Sequence, residues 1–183
     1  MLRQHFLGRL VVEQDHLLAT MIESGQLISL RCFYDKAARK FYSVAKMGKD
    51  VAGYPGLVHG GLTAALLDET FGGLSVNVWK SGGFGVAPGY TARLEVDYKQ
   101  KVPTGSTVVY SAELESIEGR KMWMRAQVTD GKSTVYAAGR ALFVSPKVPT
   151  MVSRVMSGVN QGSSFITGLV PGMNRNSNKS PTQ

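Results

Sequence analysis

Apolar and polar positions follow two different periods along this chain, and the switches between them mark out its elements. In residues 12–24, Leu17, Leu18, Met21 and Ile22 recur at helical spacing and Gly25 follows as a stop, which predicts an amphipathic helix. Residues 27–34 and 40–47 are strand-like runs joined by the polar Asp35-Lys36-Ala37-Ala38-Arg39, the pattern of a hairpin. Residues 51–58 are punctuated by glycine and proline and read as a loop. The helical period then returns. Leu62, Ala65, Leu66 and Phe71 fall near one stripe that Ala64 and Leu67 widen. A long apolar helix is expected from His59 or Gly60 to about Phe71, with Gly72-Gly73 ending or kinking it.

Beyond the turn at Ser81-Gly82-Gly83 the period becomes two. Thr91, Arg93, Glu95, Asp97 and Lys99 alternate with Ala92, Leu94, Val96 and Tyr98, as in a half-buried strand over residues 89–101. Residues 106–117, 120–129 and 132–144 give three more strands, with turns at Pro103-Thr104-Gly105, Glu118-Gly119 and Asp130-Gly131. The order helix, two strands, apolar helix, four antiparallel strands predicts an α+β domain. Wrapping the antiparallel sheet around the one central helix is the simplest way to bury that helix. Residues 1–26 then form an N-terminal helical extension and residues 27–144 the domain. Residues 145–183, rich in Ser, Asn, Gly and Pro, form a basic, largely disordered tail expected to be dispensable for chemistry.

Composition narrows the class. The chain has 183 residues, 43% apolar and 19% charged, which fits one soluble globular domain with extra length. No apolar run reaches the length of a bilayer span. Cys32 is the single cysteine, so no intrachain disulfide is possible, and it reads as a packed core residue. His5, His16 and His59 lie far apart without metal-ligand spacing, so no metal site is expected. The net charge is +8, and Lys147, Arg154, Arg175 and Lys179 in the acid-free tail supply half of it. The remainder is too mild for a nucleic-acid face and suits an anionic small molecule. The tail is suited to weak contact with an anionic membrane. Arg3 and Arg9, with no acid before Glu13, are compatible with a short organelle presequence. The expected compartment is cytoplasmic or mitochondrial, and not secreted.

Candidate chemistry concentrates in GYPGLVHGGLTAALLDETFGG, residues 53–73. Asp68 falls in the middle of an apolar helix, and a buried carboxylate is costly unless paired or functional, which makes it a candidate base. Gly60 and Gly61 open that helix. Bare N–H groups at a helix start, approached without side-chain hindrance, can stabilise a developing oxyanion. The same residues also suit a tight turn entering a core helix, with Asp68 hydrogen-bonded or partly exposed. Glu69 points about 100° away from Asp68 around the helix and reads as a solvated or interface-facing carboxylate. The run of residues 82–89 lacks the Gly-Lys-Ser/Thr ending of a phosphate loop and reads as a flexible turn.

His59-Gly60-Gly61, Asp68 nine residues after the histidine, YTARLEVDYKQKVPTGSTV, EGRKMWMRAQVTDG and YAAGRALFV together resemble the hotdog-fold acyl-CoA thioesterases. The resemblance is to the PaaI-like and THEM-like group of the thioesterase superfamily and covers about residues 27–144. It implies that Asp68 is the catalytic carboxylate, as general base or nucleophile. It implies that Gly61, with Gly60 beside it, polarises the thioester carbonyl. His59 would shape the site near the thioester, and Thr91 would orient the carboxylate or its water. No cofactor or metal is implied. Lys99, Lys101, Arg120 and Lys121, near strand ends, are candidates for the phosphates of coenzyme A. Gly61 and Asp68 sit about 10 Å apart along one helix axis, too far to meet at one carbon. A homodimer with antiparallel helices would set each Asp68 near the other copy's Gly61, with a dimer of dimers as a further step. Two other readings use the same residues. One is an enoyl-thioester hydratase or dehydratase with His59 and Asp68 as the acid/base pair. The other is a non-catalytic acyl-CoA-binding module.

Overall fold

The computed structural model describes residues 3–4 and 16–147. In chain order these form β1 (Arg3–Gln4), α1 (Leu17–Glu23), β2 (Leu27–Asp35), β3 (Lys40–Met47), β4 (Ala52–Tyr54), β5 (Leu57–Val58) and α2 (Gly60–Lys80). Then come β6 (Tyr90–Tyr98), β7 (Thr107–Glu118), β8 (Lys121–Thr129) and β9 (Val135–Val144). Seven strands join in the order β1-β2-β3-β7-β8-β9-β6, every neighbouring pair antiparallel, and β4 and β5 make a separate small hairpin.

Alternation in the strands decides what the sheet covers. Phe41, Ala45, Val108, Tyr110, Ala112, Met122, Met124, Val128 and Ala141 point to one face and are buried. Leu66, Leu67, Phe71, Leu74 and Val78 of α2 meet that face and are buried with them. The opposite face is polar, with Lys40, Arg125 and Glu113 joined by ion pairs, and Arg140 paired with Glu115 while lying 4.2 Å from the Trp123 ring centroid. This sheet wrapped around one central helix is the hotdog arrangement that the sequence led us to expect.

Four expectations are corrected. The central helix does not stop near Phe71 but runs 21 residues to Lys80. Gly72-Gly73 lies inside it because Gly73 is a packing residue: a β-carbon there would overlap the Phe41 ring. Residues 51–58 are not plain loop, since β4 and β5 pair there and Val58 N–H donates to the Val102 carbonyl at 2.9 Å. The N-terminal region contributes β1, paired with β2, besides its helix, which covers Leu17–Glu23 of the predicted span. Residues 12–15 of that span lie outside the described residues. The same holds for nearly all of the tail and the roles expected of it. Ser145, counted with the tail, belongs to the domain: it is buried, and its N–H donates to the Arg120 carbonyl at 2.9 Å. Cys32 is packed as expected, and burial pushes its thiol up to about 11, with a Ser43 hydrogen bond pulling the other way.

Candidate active site

The helix start is built by His59. Its backbone is extended, its carbonyl accepts from Leu62 N–H at 3.0 Å, and its Nδ1 accepts from Gly61 N–H at 2.9 Å. His59 is therefore the N-cap of α2, satisfying donors that a helix start leaves open. The imidazole lies in a slot between two glycines. A β-carbon at Gly61 would come 2.9 Å from Nδ1, and one at Gly53 on β4 would come 3.0 Å from Cδ2. Because Nδ1 accepts, the proton of the neutral ring sits on Nε2. The Gly61 N–H, expected to take a carbonyl oxygen, is thus held by His59. Among the described residues no acceptor meets the Gly60 N–H.

Two turns further along α2, the carboxylate of Asp68 is half-buried, the partly exposed alternative of the sequence reading rather than the fully buried one. Thr91 Oγ1 donates to its Oδ1 at 2.8 Å. Strict alternation would have put Thr91 on the outer face with Arg93. A β-bulge between Thr91 and Arg93 prevents that, pairing Thr91 with Phe143 and Arg93 with Leu142. The extra residue, Ala92, turns Thr91 toward α2, a common use of bulges beside active sites. At the other end of β6, Tyr98 Oη donates to the Gly60 carbonyl at 2.9 Å. Strand β6 therefore fastens both ends of the site segment. Tyr98 was not singled out from sequence, since a tyrosine in register with apolar residues carries no sign of a hydroxyl contact.

Glu69 departs from the solvated reading. Its side chain is only 22% exposed, with Nε2 of His16, the N-cap of α1, 3.6 Å from its Oε2. Burial pushes its carboxyl above the ordinary value, the His16 side chain opposes that, and Asp68 adds to it. His16 also caps α1, its Nδ1 accepting from Leu18 N–H at 3.3 Å.

The four basic candidates do not form one patch within a chain. Lys99 and Lys101 follow Tyr98, which pairs with Ala137. Arg120 and Lys121 sit where Lys121 and Tyr90 both pair with Val144. Eight residues of strand separate the two ends, about 27 Å. Arg120 also donates from Nη1 to the Ser145 carbonyl at 2.7 Å.

The helix opened by two glycines, the carboxylate two turns on and the threonine turned onto it stand in a chain whose likeness to known proteins concerns its family and fold. Residues 55–137 match the family model described as Thioesterase superfamily. Acyl-coenzyme A thioesterase THEM4 of Mus musculus is 33% identical over 123 residues, covering 67% of this chain and 50% of that protein. The protein of the same name from Xenopus laevis is 35% identical over 113 residues, covering 61% and 48%. A solved thioesterase superfamily protein superposes with TM-score 0.55 at 26% identity, covering 63% of this chain and 55% of that one. Over residues 55–137 the chain matches the thioesterase superfamily, and its fold is the hotdog fold. It spans about half the length of the curated relatives it matches.

Proposed function

We propose that this protein hydrolyses acyl-CoA thioesters to a carboxylic acid and coenzyme A. The observation that carries the reading is the Asp68–Thr91 pair on the helix opened by Gly60 and Gly61. Asp68 acts as general base. With Thr91 bonded to Oδ1, Oδ2 is left to take a proton from water as that water attacks the thioester carbon. The carbonyl oxygen gains negative charge in that step and is stabilised by N–H groups at the positive end of α2. Gly60 supplies the ready donor, and Gly61 a second once its bond to His59 is exchanged. The chemistry asks for no cofactor: water, a carboxylate and fixed donors suffice. Lys99, Lys101, Arg120 and Lys121 hold the phosphates of coenzyme A. The single cysteine suits a reducing compartment, cytoplasmic or mitochondrial.

The working unit is a homodimer with two sites, each built from both copies. Asp68 and the glycines of one helix are about 10 Å apart along its axis, whereas attack needs about 3–3.5 Å. Gly72 supports a second copy. Nothing lies within 4 Å of a β-carbon built there, so its own chain does not require a glycine at that point. A second copy's helix packed against that face would favour a glycine there.

The test is complementation. Asp68→Asn and Gly61→Phe proteins, each inactive alone on a panel of short, medium, long and aromatic acyl-CoAs, should regain partial activity when mixed. Each heterodimer then carries one intact site. No hydrolysis of any panel member by the wild-type protein would reject the reading, and no rescue despite proven subunit exchange would reject the shared site.

A further inference from the structure

The peptide that joins Gly60 to Gly61 is held from both sides. Its N–H donates to His59 Nδ1 at 2.9 Å, and its carbonyl accepts from Tyr98 Oη at 2.9 Å. The two contacts are not equivalent. A trans peptide points its N–H and its C=O in opposite directions. An acyl oxygen that takes the Gly61 N–H must displace His59, but it leaves Tyr98 in place. Tyr98 is then the side-chain tether that remains when the N–H is handed to substrate.

A tether matters at this link. Two successive glycines have a freer backbone than any other pair, so the peptide between them turns easily and can swing its N–H out of line. A helix carbonyl normally bonds the N–H four residues on. Tyr98 adds a second donor from outside the helix, and among the described residues no other side chain donates to this carbonyl.

Strand β6 delivers the hydroxyl with little slack. Tyr98 is its last residue and pairs with Ala137. Just beyond, the N–H groups of Lys99 and Gln100 both donate to the Tyr136 carbonyl, at 2.8 and 3.0 Å. The ring lies against Gly60, where a β-carbon would stand 3.5 Å from Cε1, Cζ and Oη, an ordinary contact. Tyr98 is nonetheless 56% exposed. A tyrosine that is more than half exposed, pinned at its backbone and bonded through its hydroxyl is placed for the bond rather than for packing.

The bond also acts along the peptide. A donor on the carbonyl draws charge to the oxygen and makes the N–H of the same unit a stronger donor, as in any chain of linked hydrogen bonds. That N–H does most when the acyl oxygen becomes an oxyanion. The contribution of Tyr98 is therefore larger in the transition state than in the bound substrate.

We infer that Tyr98 is a positioning residue for thioester hydrolysis: through the Gly60 carbonyl it aims and strengthens the Gly61 N–H that receives the acyl oxygen. The inference deepens the hydrolase reading and rests on it.

Tyr98→Phe in the full-length chain keeps the ring and removes the donor. It should lower kcat for acyl-CoA hydrolysis about three- to tenfold, the worth of one hydrogen bond, and leave KM within about twofold. The amide nitrogen resonance of Gly61 should move upfield, because the carbonyl bonded to it has lost a donor, while that of Gly73 in the core stays put. A ring-fluorinated tyrosine at position 98 is a stronger donor and should move the Gly61 resonance the other way. If Tyr98→Phe does not fold, the fluorinated protein decides by that shift. Wild-type kcat in Tyr98→Phe, a KM that rises as much as kcat falls, or a Gly61 resonance that ignores the change at position 98 would each overturn the inference. So would a loss of rate matched by a loss of stability in urea with the Gly61 resonance unmoved, which is the mark of a purely structural side chain. If the wild type cleaves no acyl-CoA while the Gly61 resonance answers to both changes, the hydrolase reading falls and the tether on the peptide stands.

Discussion

The two long faces of α2 are built to opposite rules. The face toward the sheet is fully buried, and every residue there is fitted to its own chain: Leu66, Leu67, Phe71 and Leu74 fill the core, and Gly73 is small because the Phe41 ring occupies its space. The other face carries Gly61, Ala65, Asp68 and Gly72 at intervals of three and four residues, all at least partly exposed. There, Gly72 has open space around it and Asp68 meets solvent. Adjacent glycines on one helix therefore stand under different constraints: the fold requires Gly73 to be small and leaves Gly72 open. The stabilising face and the reacting face share a backbone, so the core fixes where Asp68 and the glycine start stand.

The largest expected difference between the faces is in chemistry. Asp68→Asn should lower kcat for acyl-CoA hydrolysis by about 10²–10⁴, the range for losing a positioned base. Its folding should be unchanged, because the side chain is half-exposed and Thr91 Oγ1 can still donate to the amide oxygen. Near-wild-type turnover by a folded Asp68→Asn protein would end the assignment. The glycine pair gives the next test. Gly73→Ala forces a methyl group into the Phe41 ring and should cost about 1–3 kcal/mol in urea unfolding. Gly72→Ala meets no atoms of its own chain and should gain up to about 1 kcal/mol in the isolated chain from helix propensity. If both substitutions destabilise the single chain alike, the two faces are not different in the way argued.

What was legible in the sequence follows the same division. The sheet-facing pattern was readable because burial enforces a period: the strands and the central helix were located, with β3 at residues 40–47 as expected. The helix end was misplaced because Gly72-Gly73 looks like a terminator, and only the position of Phe41 in space shows that Gly73 is a contact. The site was legible as residue types and spacing, not as geometry. Alternation put Thr91 on the wrong face, since a bulge at Ala92 changes no residue type. The use of the Gly61 N–H by His59 was hidden too, for histidine is not among the favoured N-cap residues. The basic candidates were chosen for lying near strand ends, and sequence does not say that these ends are opposite.

The bulge yields a smaller effect. Thr91→Val keeps the shape but removes the donor to Asp68, a bond worth about 0.5–1.5 kcal/mol. It should cut kcat up to about tenfold, while Thr91→Ser should retain most activity. Equal loss in both variants would mean that the methyl group, not the hydroxyl, matters at this position.

The smallest effect belongs to Glu69, which lies beside Asp68 but faces α1. Burial raises its carboxyl above the ordinary 4.5, so between the unfolded and the folded values the folded chain holds a proton that the unfolded chain has released. Stability then falls as pH rises from the unfolded value through the folded one, the opposite of a salt-bridged carboxylate whose pKa is lowered. Glu69→Gln removes this titration. Urea unfolding of both proteins at pH 4 and pH 7 should therefore show the glutamine variant gaining on wild type as pH rises. His16 works against the gain, because at 3.6 Å it favours the ionised carboxylate, so His16→Ala should enlarge the difference. A glutamine variant that instead loses ground between the two pH values would show that the His16 pairing outweighs burial. Glu69 would then be held by an ion pair with His16.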